Sequence, residues 1–513
     1  MSENGAPPRP SPAHLRLAGL VAGALALAAL WAASSAASGI AFPPTAVAEI
    51  VVRATPGDVA TAFIELLQHW ALRLLGLGVL LVALGAGAQA LVATADEGWP
   101  RPYASGGALA VLAGVAVLTS PTGGVSLVAT AIALAAAALV YGYAAELLVG
   151  LLVAQGGSAD RERRRALLVG LGGALGLALG GGALGWLARR LAGPDTDVAL
   201  TAPAVRLRLP DRPSYPVIEG LTPEVTSVPA HYVVDINLVE PVVEAADWTL
   251  SVGGEVEEPL ELSFTELQRS FEVVEEYAVL TCISNEVGGD LVGHSLWGGV
   301  RLGDVLERAR PRPGAVDLVL LAADGYSESF PVELARDPAV LIAFAQNRRP
   351  LTQEHGFPCR LRVPPIFGMK NVKWLESIEV VRSDYQGYWQ RRGWSDVATV
   401  RTQSRIDVAG DGGRARRGRE TWLAGVAWAG DRGVERVEVS TDGGSTWHEA
   451  ALRDPIGSLS WRQWAYRWTP VTTGALEVAC RATDGTGAVQ TERTAAPHPA
   501  GATGYHRVSV EVA

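Results

Sequence analysis

The sequence predicts a multi-domain chain of three fold classes: an all-α transmembrane helical domain, an α+β domain and an all-β sandwich. Three observations carry this. Over the 513 residues the composition is split, with residues 15–192 dominated by Ala, Leu, Gly and Val and with charge concentrated after Val205. Between about 231 and 398, strand and helix patterns mix without a regular βαβ repeat. From about Arg401 onward, short alternating runs such as VERVEVSTDGG and LEVACRATDGTG alternate with closely spaced turn signals, the pattern of a sandwich. The divisions follow: 1–192 helical, 193–230 a Pro-rich linker and lead-in strap, 231–398 α+β, 399–513 sandwich.

Five apolar stretches approach the ~20 residues that span a bilayer: 15–37, 70–93, 103–120, 125–154 and 165–188. Small residues dominate them, and small faces let helices pack closely in lipid. The first stretch is read as a retained helix, because four more follow it without a cleavage context. No span carries a His pair; His14 and His69 sit at the edges, and Glu146 is the main intramembrane charge. The blandest role for this half is an anchor in a lipid bilayer. Arginine bias puts the N-terminus inside: Arg9, Arg16, Arg101, Arg161, Arg163, Arg164 and Arg165 against Arg53 outside, with Arg189 and Arg190 pulling the other way. Five spans then leave everything after about 193 extracytoplasmic. Arg164 and Arg165 before a weakly hydrophobic span fit either an internal twin-arginine export signal or ordinary topology charge.

In the soluble half, Trp248 to Val252 alternates as a strand, Ser263 and Glu266 form a capping box, and VRLGDVLERA is an amphipathic helix from about Leu302. The net charge of −10 argues against a nucleic-acid partner. Three cysteines, Cys282, Cys359 and Cys480, make no disulfide framework. Cys359 and Cys480 read as core. No CxxCH is present, so no covalently attached haem is expected in this chain. The tryptophans at 422, 428, 461, 464 and 468 read as sandwich core rather than a recognition surface.

The chain is organised around Cys282, which sits between a β-like run ending at Leu280 and a polar glycine-rich turn, Ser284 to Asp290. Such a cysteine is a nucleophile, a metal thiolate or a buried small residue. A second stretch decides among these: Asn347, Pro350, Leu351, His355, Gly356, Phe357, Pro358, Arg360, Val363, Pro364, Gly368, Val372, Lys373, Trp374 and Leu375. Order and spacing match the NG-x-PL-x-x-x-HGFP-x-R-x-x-VP…VKWL run of the sulfite oxidase family of molybdopterin enzymes. From about Tyr232 to the C-terminus the chain resembles that family. The resemblance implies an immunoglobulin-like dimerisation domain at 399–513, and with it a homodimer.

The resemblance also implies a molybdenum–molybdopterin cofactor, with Cys282 as the one protein ligand to the metal. Oxo transfer needs such a group, because no side chain changes oxidation state by two electrons. In matching positions, His355, Arg360, Lys370, Lys373 and Ser329 (with Tyr326 and Pro331 of the Y-x-x-S-x-P motif) are expected to hold the pterin and its phosphate. Tyr232, Asp235 and Asn237 fall where the family lays an extended segment on the cofactor. Trp389, Gln390, Arg391 and Arg392 match the family's WQRR, and Trp394 stands where the family has its catalytic tyrosine. Arg392 and Trp394 are therefore the catalytic candidates beside Cys282. Asn285 is kept, but Glu286 and Val287 replace the family's substrate-binding arginines. These departures weaken the case for a sulfite anion. The implied function is a membrane-anchored oxidoreductase acting on a small sulfur compound or an S- or N-oxide. A protein-methionine-sulfoxide reductase-like enzyme is the alternative within the class, and a non-catalytic receptor the alternative outside it. A separate cytochrome, quinone or similar carrier would exchange the electrons.

Overall fold

In the computed structural model, the described residues are 9–37, 39–67, 70–96, 99–120, 126–153, 172–173, 176, 180–183, 196, 198–211, 215–237 and 240–513. They fall into two compact units, one comprising 1–195 with 235–242, the other 196–234 with 243–513.

The first unit is helical: α1 Pro12–Ala36, α2 Pro43–Ala54, α3 Gly57–Leu67, α4 Ala71–Ala93, α5 Pro102–Thr119 and α6 Leu127–Val153. Four of these, α1, α4, α5 and α6, are long and apolar enough to cross a membrane. Their ends lie within a few residues of four of the expected spans. The fifth, at 165–188, falls almost wholly outside the described residues, as do His69 and the arginines at 161, 163–165, 189 and 190. The sequence reading did not anticipate α2 and α3. The small residues act as expected. A side chain at Gly19 would strike the Gly87 carbonyl oxygen, and one at Gly106 the Ala138 carbonyl oxygen, so these helices cross backbone to backbone. Tyr141 donates to the Gly87 carbonyl (2.6 Å), and Tyr103 donates to Glu146 (3.1 Å).

The second unit holds two layers of different origin. In the α+β part, one five-stranded sheet has the order β2 (Leu260–Ser263), β1 (Thr249–Gly254), β10 (Leu375–Val381), β5 (Asp317–Ala322), β6 (Ser327–Pro331). Only β1 and β10 run parallel. A second sheet runs β3 (Val273–Thr281), β4 (Val292–Arg301), β7 (Leu341–Gln346), β8 (Arg349–Pro350), with β9 (Arg360–Arg362) also on β7. Helix α7 (Phe264–Ser270) starts at the Ser263/Glu266 capping box read from the sequence. Helix α8 (Leu302–Ala309) buries Leu302, Val305, Leu306 and Ala309.

The C-terminal part is a sandwich. One sheet is ordered β11 (Gln403–Ala409), β13 (Thr421–Trp428), β17 (Arg462–Trp468), β16 (Ala451–Leu452). The other is β12 (Arg414–Ala415), β19 (His506–Val512), β18 (Gly474–Asp484), β14 (Val434–Ser440), β15 (His448–Glu449). Leu423, Val437, Trp464, Val478, Cys480 and Val510 fill the space between. Cys359 and Cys480 are free and buried, and Trp428, Trp461, Trp464 and Trp468 are core. The strap before the α+β part is stitched to both layers. Ala204 N–H donates to Val273 (2.9 Å), and Thr226 N–H to His294 (2.7 Å). On the sandwich side Gln463 donates to the Thr222 carbonyl (2.6 Å), and the Trp461 indole to Glu224 (2.8 Å).

Candidate active site

Cys282 follows the last residue of β3 and opens the turn that leads to β4. Its amide donates to Leu291 across the turn (2.9 Å), and its carbonyl accepts from Asn285 N–H (3.1 Å). Asn285 closes the loop: its Oδ1 accepts from Leu291 N–H (2.9 Å). The sulfur therefore sits on a turn fixed from both ends, with the residue 7% exposed. Burial pushes the thiol up. The Ser284 amide, the Ser284 hydroxyl and the Ile283 amide pull it the other way by facing the sulfur. Donors grouped around a buried sulfur suit a thiolate that gives its remaining lone pair to a metal.

Next to the cysteine lies a buried basic cluster. Arg360 donates to the carbonyls of His355 (3.1 Å) and Asn371 (3.0 Å). Arg362, 1% exposed, donates to Asn371 Oδ1 (3.0 Å) and to the Val279 carbonyl, while its buried Nε has no hydrogen-bond partner. Burial, reinforced by Arg360, pushes Arg362 down to about 9. Trp297 lies under both guanidiniums. His231 packs edge-on against His355 (5.5 Å between ring centroids) and stacks on Tyr232 (5.3 Å). Its Nε2 is buried without a partner. Burial holds His231 at about 3 and His355 at about 4, and Arg360 adds to both depressions, so both rings are neutral near pH 7. Two guanidiniums and a buried donor with nothing to bond, beside two discharged imidazoles, form a buried cluster whose charge calls for an anion. The phosphate-bearing pterin fits this donor set. Tyr232, whose phenol is pushed up by burial and by the nearby Cys282, ties the cluster to the sulfur. At Gly368 a Cβ would fall 2.7 Å from the Tyr232 hydroxyl, which explains a glycine there.

The other expected anchors are more committed to the protein than the sequence suggests. Lys370 is buried, donates to the Ser329 carbonyl (2.7 Å) and pairs with Asp396 (2.9 Å) and Glu328 (3.3 Å). Ser329 donates its hydroxyl to Tyr385 (2.6 Å). Lys373 donates to Glu354 (2.8 Å) and lies over the Trp374 ring (4.3 Å). His355 Nε2 faces the Val228 carbonyl (3.2 Å). Asp235 and Asn237 group with the first unit. Sequence reasoning missed His231, Arg362 and Glu328. His231 directly precedes Tyr232, and Arg362 lies two residues beyond Arg360, so adjacency was the available signal.

Trp394 reaches the cysteine turn through a ring stack. It lies on Trp389 (3.8 Å, 11° between planes) and against His498 (4.2 Å, 30°). His498 Nε2 is 3.0 Å from the Ser284 hydroxyl. Arg392 lies over Tyr388 (3.8 Å) and donates to its carbonyl (3.0 Å). Glu286 is exposed. The repulsion of an anion expected from it is correspondingly screened.

A family model described as the oxidoreductase molybdopterin binding domain matches residues 237–389, and one described as the Mo-co oxidoreductase dimerisation domain matches 394–513. Mitochondrial sulfite oxidase of Rattus norvegicus is 33% identical over 253 residues, 42% of this chain and 46% of that protein. Nitrate reductase [NAD(P)H] of Hordeum vulgare is 29% identical over 330 residues, 52% of this chain and 37% of that protein. The chain spans about half the length of the curated relatives it matches. Among solved structures, the sulfane dehydrogenase SoxCD from Paracoccus pantotrophus is similar over 52% of this chain and 77% of that one, at 24% identity and a TM-score of 0.46.

Proposed function

The chain belongs to the sulfite oxidase family of molybdopterin oxidoreductases, and we propose that it is a membrane-anchored, extracytoplasmic oxo-transfer enzyme with Cys282 as the protein ligand to molybdenum. The observation that carries this is the pairing of a donor-lined, buried cysteine with an anion-seeking cluster of Arg360, Arg362 and His231. The cofactor supplies a centre that changes oxidation state by two electrons while gaining or losing one oxygen. The chain supplies the rest. Arg360 and Arg362 would hold the pterin phosphate, and the neutral His231 would offer Nε2 as donor or acceptor. The Cys282 turn sets the sulfur, and the buried surroundings exclude water.

On the substrate side, the Trp389–Trp394–His498 stack supports a neutral or apolar group. A flat indole offers one N–H donor and no cation, whereas a sulfite dianion stripped of water needs cations in return. The favoured substrate is a neutral S-oxide or similar oxo compound, reduced with electrons from a separate carrier. The four apolar helices support anchoring in the bilayer, and the arginine bias together with the further apolar stretch at 165–188 supports a catalytic unit outside the cytoplasm. The match to a dimerisation domain supports a homodimer. The test is purified full-length protein assayed for molybdenum, then screened with sulfite, methionine sulfoxide and amine oxides using an artificial donor or acceptor. Stoichiometric molybdenum with sulfoxide turnover is expected. Protein without molybdenum and without turnover would leave a binding module instead.

A further inference from the structure

The sandwich domain grips the Cys282 turn at three points. Arg405 donates to the Gly289 carbonyl (2.9 Å) while its own guanidinium is held by Asp407 (2.6 Å) and Thr222 (2.8 Å). His506, whose Nδ1 accepts from Ile406 N–H (2.9 Å), lies flat against Gly288. Gly288 has φ +80°, and any Cβ there would fall 2.3 Å from that imidazole, so the position admits glycine alone. The third grip is His498, and it differs from the other two by touching a residue that itself faces the sulfur.

Ser284 has one hydroxyl proton. Its oxygen is 3.0 Å from His498 Nε2, and the hydroxyl and amide of Ser284 are the neighbours that favour a charged Cys282 sulfur. If the proton went to His498, only lone pairs would face the sulfur. A proton on Nε2 reverses this: the imidazole donates, the serine oxygen accepts, and the hydroxyl is left to donate onward. The ring cannot swing away to break the chain, because it is pressed on Trp394, which is itself stacked on Trp389.

We infer that His498, contributed by the sandwich domain, is a positioning residue for the metal-ligating sulfur: it donates from Nε2 to Ser284 and so aims the serine hydroxyl at Cys282. This rests on the reading of Cys282 as the molybdenum ligand. A hydrogen bond to a ligating sulfur draws electron density from it and raises the metal's reduction potential. The sandwich thus tunes the centre as well as bracing it, and the same imidazole links the Trp394 wall to the ligand turn.

The test uses full-length holoprotein carrying His498→Phe, His498→Gln, Ser284→Ala, or His498→Phe with Ser284→Ala. Phenylalanine keeps the stack without a donor; glutamine restores an N–H near the Nε2 position. Molybdenum content, the Mo(V) electron paramagnetic resonance spectrum and the molybdenum midpoint potential are measured on each. The expected result is wild-type molybdenum content throughout. His498→Phe and Ser284→Ala should shift the spectrum in the same sense and lower the midpoint, the double variant should go no further, and His498→Gln should return toward wild type. A wild-type spectrum and potential for His498→Phe overturns the inference, as do effects that add in the double variant. Loss of molybdenum in His498→Phe alone would make His498 a brace only. Absence of molybdenum from the wild-type protein would overturn the reading of Cys282 itself, a different failure from these.

Discussion

Replacing Glu328 by glutamine should make the protein's stability less dependent on pH. Glu328 is 0% exposed, with Lys370 Nζ 3.3 Å away and both carboxylate oxygens lacking a hydrogen bond. Gln390 lies beside it and, with Lys370, opposes the effect of burial. Burial raises the carboxyl from 4.5 to about 7, and Lys370 opposes that rise without cancelling it. Between those two values the folded protein keeps the proton while the unfolded chain has released it. Folding is therefore favoured by acid in this window, and that advantage is lost as pH rises to about 7. The linkage amounts to about 2–3 kcal/mol between pH 5 and 8. Glu328→Gln has no such proton, so its stability relative to wild type should improve by that amount from pH 5 to pH 8. For a unit of this size the gap corresponds to roughly 3–5 °C in melting temperature. Thermal unfolding of both proteins in detergent at the two pH values gives the difference directly. A gap that stays constant would mean that Glu328 ionises alike in the folded and unfolded chain, and the argument from burial would fail.

Other outcomes follow from the same geometry. Arg362→Met and Arg360→Met should each lower cofactor occupancy, since each loses charge-assisted contacts of about 1.5–3 kcal/mol to an anion; unchanged pterin content in both would remove the cluster from the cofactor site. His231, His294 and His355 are held at about 3, 4 and 4 by burial. Each is neutral when folded and charged when unfolded, so stability should fall as pH drops below about 6.5, and His294→Gln should blunt that fall in an acid melt. Glu286→Arg with Trp394→Tyr should raise kcat/KM for sulfite relative to methionine sulfoxide. Efficient sulfite oxidation at micromolar substrate by the unmodified protein would show that other residues receive the anion. A reporter fused after Ala513 should be active only outside the cytoplasm; activity inside would invert the topology.

The elements legible in the sequence were those with local signals. The ends of α1, α4, α5 and α6 follow from apolar length, the start of α7 from Ser263 and Glu266, and the Cys282 turn from a β run meeting glycines. The sandwich followed from alternation and turns. What escaped were contacts made across the fold. His498 lies more than a hundred residues from Trp394, and nothing in its Pro-flanked loop announces a stack with an indole. Lys370 reads as a cofactor contact, and nothing in the sequence points to Glu328, which β6 buries against it. Glu286 reads as a charge opposing an anion, but position relative to Cys282 carries no information on which way a turn residue faces, and it is exposed. Short helices α2 and α3 had too few residues for their period to stand out between longer apolar runs.

The central claim is that Cys282 gives its sulfur to molybdenum beside the basic cluster of Arg360 and Arg362. X-ray absorption at the molybdenum edge, on wild-type protein and on Cys282→Ser with pterin quantified in both, tests it most directly. The account predicts molybdenum in the wild-type protein, one sulfur neighbour fewer in Cys282→Ser, and pterin retained by the basic cluster. An unchanged sulfur count in the variant, with molybdenum present in both, would contradict it.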